Sequence, residues 1–226
     1  RFFSFHVIAV PLVLLGLVAA HIIALHEVGS NNPDGVEIKS KKDALGRPLD
    51  GIPFHPYYTT HDLLGSAVFL LVFSAIVFFG PEFGGYFLEY NNFIPADPLK
   101  TPLHIAPVWY FTPFYAMLRA VPSIFGSQFP GVAVMGAAVV IMFFLPWLDR
   151  SPVKSIRYRG PIYKIALTLF AISFVILGWL GIEAPTPLYT WMARVLTVVY
   201  FAFFLLMPWY SKIDKVKPEP QRVTEK

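Results

Sequence analysis

Three histidines stand inside an almost unbroken apolar run at the start of the chain, RFFSFHVIAVPLVLLGLVAAHIIALH: His6, His21 and His26. No other clear apolar stretch holds one. A histidine in a membrane helix is costly, and by default it marks a functional site that needs a partner. His6 and His21 are 15 residues apart in sequence, which is roughly 22 Å along a helix rising 1.5 Å per residue. At about 100° per residue they differ by about 60° in direction. They therefore share a face, one near each edge of an apolar layer roughly 30 Å thick. Two chemistries suit them. One is a proton or ion path, since imidazole titrates near neutral pH. The other is axial ligation of two haem irons, one above the other, each completed by a ligand from another helix. Ala9, Gly16, Ala19 and Ala20 lie between them and would let flat groups approach the backbone.

Two further constellations carry chemistry. His26 lies at the end of the first apolar run and Asp62 at the start of the next, with Ser30, Asn31 and His61 beside them. An imidazole and a carboxylate facing one pocket can deliver two protons to a bound acceptor. The plainer reading makes His26 interfacial and Asp62 a helix cap. The third is Pro107-Val108-Trp109-Tyr110, which on its own reads as an aromatic belt where Trp and Tyr meet lipid headgroups.

The elements that position these residues are membrane spans. The chain has 226 residues, 56% of them hydrophobic and 14% charged, with mean hydropathy +0.58. That composition lies outside ordinary soluble domains. The net charge of +4 is spread over short loops and is not a nucleic-acid signature, and the lack of cysteine excludes disulfides and thiolate metal sites. Opening on Arg1 with no basic leader or cleavage site, the chain reads as a fragment of something longer rather than as carrying a signal peptide. Five stretches are long enough to span: about 6–26, 62–80, 131–148, 162–182 and 188–207. Pro130 opens the third and Pro208 closes the fifth.

Residues 103–121 are apolar enough for a sixth span, but two prolines six residues apart argue against a straight helix there. Charge parity decides the matter. With five spans, loop 27–61, loop 149–161 (with Lys164) and the tail share one side, which then holds 14 of the 18 Lys and Arg. A sixth span would split them and break the positive-inside pattern. The reading is an all-α transmembrane chain of five spans with the basic side cytoplasmic. Its parts are a histidine-bearing helix (1–26), a cytoplasmic loop (27–61), a helical membrane domain (62–210) and a disordered charged tail (211–226). Residues 81–130 form a long outer-face element containing short helices. Arg119 and Arg194 read as snorkelling cations without a role, and the basic segment 150–164 as an orientation signal touching anionic lipid.

RFFSFH, fourteen residues, then H-x4-H-E-V-G-S-N-N-P resembles the fourth helix of cytochrome b from the respiratory ubiquinol–cytochrome c oxidoreductase. FHPYYTTHDLLG (54–65), ADPLKTPLHIAPVWYF (96–111) and the final spans follow in the family's order, over at least residues 1–210. The resemblance implies the last five helices of a bacterial cytochrome b. It makes His6 a ligand of the low-potential haem b near the outer face and His21 a ligand of the high-potential haem b near the inner face. The second axial histidines would come from helices not present in this sequence. It places His26, Ser30, Asp62 and His61 at the inner quinone-reduction site, where the family often has Lys in place of His61. It makes Pro107, Val108, Trp109, Tyr110, Phe111 and Tyr115 the outer quinol-oxidation pocket, with Tyr110 and His104 as the catalytic candidates.

That motif usually reads Pro-Glu-Trp-Tyr. Val108 cannot take a proton, so the glutamate's role cannot be carried over; His104, Glu89 or a carboxylate on the other helices are the candidate acceptors. Mitochondrial members space the two haem histidines by 14. The spacing of 15 is familiar from photosynthetic relatives, which split the protein after this helix and lack the last span. The implied partners are ubiquinone and ubiquinol, a Rieske-type iron–sulfur protein, a cytochrome c1-type subunit, membrane lipid and a second copy in a homodimeric complex of the bacterial inner membrane, with no nucleic acid. The implied activity is multisubunit, contributes to proton motive force, and is absent from the fragment alone. A haem-free proton-coupled transporter using His6 and His21 as relay groups, and a purely structural subunit, are the alternatives.

Overall fold

The computed structural model describes residues 1–83, 90–102 and 105–223. Among these residues it is all-helical with no strand. Five helices are long and apolar enough to cross a membrane: α1 (Phe2–Val28), α2 (Tyr57–Phe79), α4 (Phe129–Leu148), α5 (Pro161–Ile182) and α6 (Pro187–Leu205). They match the five stretches read from hydropathy. Among its described residues the sixth candidate span holds a three-residue turn, Trp109–Phe111, leading into the nine-residue helix α3 (Thr112–Ala120), too short to cross. A last short helix, α7, covers Met207–Ile213.

Proline places most of these starts. Pro113, Pro130, Pro161, Pro187 and Pro208 each stand in the first turn of their helix, where the missing N–H has no intrahelical partner to lose. Inside a helix proline distorts the ladder, and two helices show it. Before Pro11, α1 widens to a π turn at Phe5–Ala9; before Pro146, α4 tightens to a 3-10 turn at Ile141–Phe144. Helix α1 ends at Gly29, whose φ of +86° suits only a residue without Cβ.

The chain divides into two compact units, one of residues 1–51, 153–158 and 218–226, the other of residues 52–152 and 159–217. In the first, α1 is apolar all round and has no buried residue, as expected of a helix facing lipid or other helices. Its loop is tied to the other basic segments. Asp34 accepts from Arg157 Nη1 at 3.1 Å and from the Tyr158 hydroxyl at 2.9 Å. Ser155 Oγ donates to the Pro33 carbonyl, and Glu219 takes the Lys154 N–H at 2.7 Å. Asp50, its side chain 3% exposed, pairs with Arg222 at 3.1 Å. Loop 27–51, loop 153–158 and the chain end therefore meet, as the parity argument for five spans requires.

In the second unit α3 packs between α4, α5 and α6. Met117, Leu177, Tyr200, Phe204 and Met207 form its fully buried centre. Phe170 and Phe203 stack at 4.6 Å between ring centroids, and the Tyr200 hydroxyl donates to the Ala138 carbonyl at 2.8 Å, joining α6 to α4. A Cβ on Gly181 would collide with the Thr112 carbonyl, so this glycine lets the start of α3 lie directly on the end of α5. The beginning of the tail is not disordered. Ser211 is 1% and Asp214 9% exposed, and Asp214 accepts the backbone N–H groups of Ile162 and Tyr163 at 3.2 and 3.0 Å. It caps α5 from 52 residues away, a tertiary contact that overrides the disorder suggested by charge and proline. Burial, with Tyr163 alongside, pushes the Tyr210 phenol above its ordinary range, and its hydroxyl donates to the Phe203 carbonyl at 2.7 Å.

Candidate functional site

On α1, His6 lies in the π turn and His21 in regular helix, both exposed. Neither ring makes a hydrogen bond among the described residues. Counting about 100° per residue from His21, Val10, Leu14 and Leu17 share its face, whereas Gly16, Ala19 and Ala20 fall 100° or more away. The small residues thus lie on the flanks and back of the helix. No group of three or more His, Asp or Glu that could hold a bare metal ion exists among the described residues. A lone imidazole is compatible with a haem, which would bring four iron ligands of its own. His6 and His21 each offer one unpartnered imidazole on an otherwise apolar face.

Of the inner-site candidates, His26 and Ser30 belong to the first unit and His61 and Asp62 to the second. His26 is in the last turn of α1. The chain beyond it is fixed by Asn32, whose side chain accepts the N–H groups of Asp34 and Val36 and donates to the Val36 carbonyl at 2.7 Å. The Lys39 ammonium donates to the Glu27 carbonyl at 2.7 Å near the helix end. Asp62 is not a cap: α2 begins at Tyr57 with Pro56 at the N-cap and no side-chain cap bond. Both His61 and Asp62 stand exposed on α2, free of hydrogen bonds among the described residues.

The outer motif forms one continuous aromatic surface. Phe111 N–H donates to the Val108 carbonyl at 2.9 Å and the Thr112 hydroxyl to the Trp109 carbonyl at 2.6 Å, closing the turn onto α3. Trp109 meets Tyr110 edge-on at 5.6 Å, and Tyr110 lies 4.6 Å from Phe111. All three rings are exposed, as is Val108, while Pro107 and Tyr115 are half-buried. His104 and Glu89 lie outside the described residues.

Two residues that had no assigned role hold this motif in place. Arg119 stacks on the Tyr115 ring at 4.7 Å and donates to the carbonyls of Leu180 (2.5 Å) and Glu183 (3.0 Å) at the end of α5. Arg194 Nε donates to the Ala120 carbonyl at 2.8 Å, at the end of α3. Cations at helix C-termini satisfy orphan carbonyls and the helix dipole. The signal in the sequence was the cost of an arginine within or beside an apolar stretch, which demands a partner.

Known proteins give the chain its family. A family profile described as cytochrome b (N-terminal)/b6/petB matches residues 1–113, and one described as cytochrome b (C-terminal)/b6/petD matches residues 95–201. The chain belongs to the cytochrome b/b6 family. It is 61% identical to cytochrome b of Allochromatium vinosum over 99% of this chain and 55% of that protein. It is 43% identical to cytochrome b of Rickettsia bellii (99% and 52%) and 42% identical to that of Cereibacter sphaeroides (100% and 53%). A solved structure described as a hyperthermophilic respiratory Complex III superimposes with a TM-score of 0.80 at 38% identity, over 94% of this chain and 51% of that one. The chain spans about half the length of the curated relatives it matches.

Proposed function

We propose that this chain is the quinone-handling, electron-transferring part of a quinol–cytochrome c oxidoreductase. The observation that carries the reading is the pair of unpartnered imidazoles on one face of an all-apolar helix, in a chain of the cytochrome b/b6 family. His6 would hold the low-potential and His21 the high-potential haem b, each with a second histidine from outside this sequence. When bound, the haems supply reversible one-electron chemistry; the protein orients and tunes them.

The chain's own residues do the rest. At the outer site Tyr110, Phe111 and Tyr115 hold the quinol ring, and the turn at Trp109–Phe111 keeps them at the mouth of α3. Oxidising a quinol releases two electrons and two protons; one electron would pass to a Rieske-type iron–sulfur partner and on to a cytochrome c1-type subunit, and the other would go to the quinone bound at the inner site. Val108 is not a proton acceptor, so an acceptor elsewhere, with His104 and Glu89 as candidates, takes that role. At the inner site His26 and Asp62 deliver the protons that quinone takes up with its electrons, with Ser30 and His61 as further contacts. Ubiquinone is the proposed substrate, and a homodimeric complex in a bacterial inner membrane, basic loops cytoplasmic, the proposed setting.

The test is a reduced-minus-oxidised optical spectrum of the purified parent complex, repeated with His6→Leu and His21→Leu. Two b-type signals, one lost with each substitution, are expected. A complex without b-type absorption would overturn the reading in favour of a proton path through the same two histidines.

A further inference from the structure

We propose that the π turn at Phe5–Ala9, held in place by Pro11, sets the direction in which His6 presents its imidazole relative to His21. The inference rests on the haem reading of these two residues. In an unbroken α-helix their spacing of 15 would put them about 60° apart. The helix is not regular there: the Val10 N–H bonds the Phe5 carbonyl, five residues back. An i→i+5 turn takes up one residue more than an α turn. One residue is therefore absorbed without advancing the face, and the pair behaves as if spaced by 14, about 40° apart with the opposite sense. His6 is swung by about 100° from its place in a straight helix, to the side of Leu14 rather than of Leu17.

Pro11 explains why the turn sits here. It has no N–H for the Val7 carbonyl and its ring would crowd that oxygen in a regular helix; a wider turn eases that crowding. Proline acts on the turn from within the helix itself.

Two single-residue deletions in the parent complex, one paired with Pro11→Ala, test this. Both shorten the spacing to 14 and remove one apolar residue from the same helix, so a merely structural role would affect them alike. Deleting Ala9 together with Pro11→Ala removes both the extra residue and the proline that widens the turn, so the helix runs regular and the His6 direction is kept. Deleting Leu15 leaves the wide turn and throws the two rings about 140° apart. The Ala9 deletion with Pro11→Ala is expected to keep both b-type bands and both low-spin bis-imidazole electron paramagnetic resonance signals; the Leu15 deletion, to keep only one of each. Loss of a band in the first variant, or retention of both in the second, overturns the inference while leaving the haem reading standing. Absence of b-type absorption from the unaltered complex overturns both.

Discussion

The Nε–H of Arg194 on α6 points at the carbonyl oxygen of Ala120, the last residue of α3, at 2.8 Å. Arg119 does the same for the end of α5 through Leu180 and Glu183. Every acceptor is main chain, so side-chain changes at 120, 180 and 183 leave the bonds available, and the vulnerability sits in the two arginines. Arg119→Leu and Arg194→Leu should each cost about 1.5–3 kcal/mol, the range for hydrogen bonds to a charged group. Hydrogen exchange of the α3 amides in the assembled complex should rise in both variants, and quinol oxidation should fall while quinone reduction holds.

Gly181→Ala reverses the usual sign of such a change. In an exposed helix alanine gains about 1 kcal/mol over glycine. Here the new methyl meets the Thr112 carbonyl, and overpacking of this kind costs about 1–3 kcal/mol. A lower midpoint in thermal unfolding of the solubilised complex is expected; a higher one would mean that α3 does not rest on α5.

At Val108 the site offers an insertion of chemistry at small structural cost, because the side chain is 46% exposed. Val108→Glu should leave stability, read from thermal unfolding, within about 0.5 kcal/mol of the parent, as at most surface positions. The new carboxylate accepts a proton only when ionised. Quinol oxidation should therefore speed up at neutral pH and fall back to the parent rate as pH drops through the carboxyl range, read from a pH–rate profile.

Asp62→Asn removes the proton donor proposed for the inner site, a side chain that neither caps α2 nor bonds a neighbour among the described residues. Assembly should be unchanged. Quinone reduction, assayed separately from quinol oxidation, should slow on the order of 10²-fold, the low end for lost general acid–base catalysis.

Asp214→Ala strips the cap from α5 and should lower stability by about 1–2 kcal/mol. Asp214→Asn, which keeps one acceptor oxygen and sets an NH2 against the other N–H, should recover only part of it in the same thermal scan.

Much of this architecture is legible from local pattern. Apolar length alone locates the five spans to within a few residues, because a membrane helix must satisfy its own backbone along its whole length. The charge count also separates 103–121 from the true spans, and α3 indeed stops after nine residues. What stays hidden depends on partners distant in sequence. Arg119 reads as a snorkelling cation until Leu180, 61 residues on, comes beneath it. Asp214 reads as tail until it meets Ile162. Likewise, Asp62 has a capping residue's composition and an adjacent apolar run, but α2 starts five residues earlier than the run suggests. At the candidate site, the spacing of His6 and His21 is plain in the sequence, yet the π turn between them depends on how the backbone yields to Pro11.

The cap on α5 also imposes an order on biogenesis. Asp214 leaves the ribosome 52 residues after Ile162, a lag of roughly 3–10 s at ordinary synthesis rates of 5–20 residues per second. Through that interval the first turn of α5 has its free N–H groups served by water alone. This helix end must therefore wait at the wet boundary, and the block of α3 to α7 can lock only once its final helix has arrived.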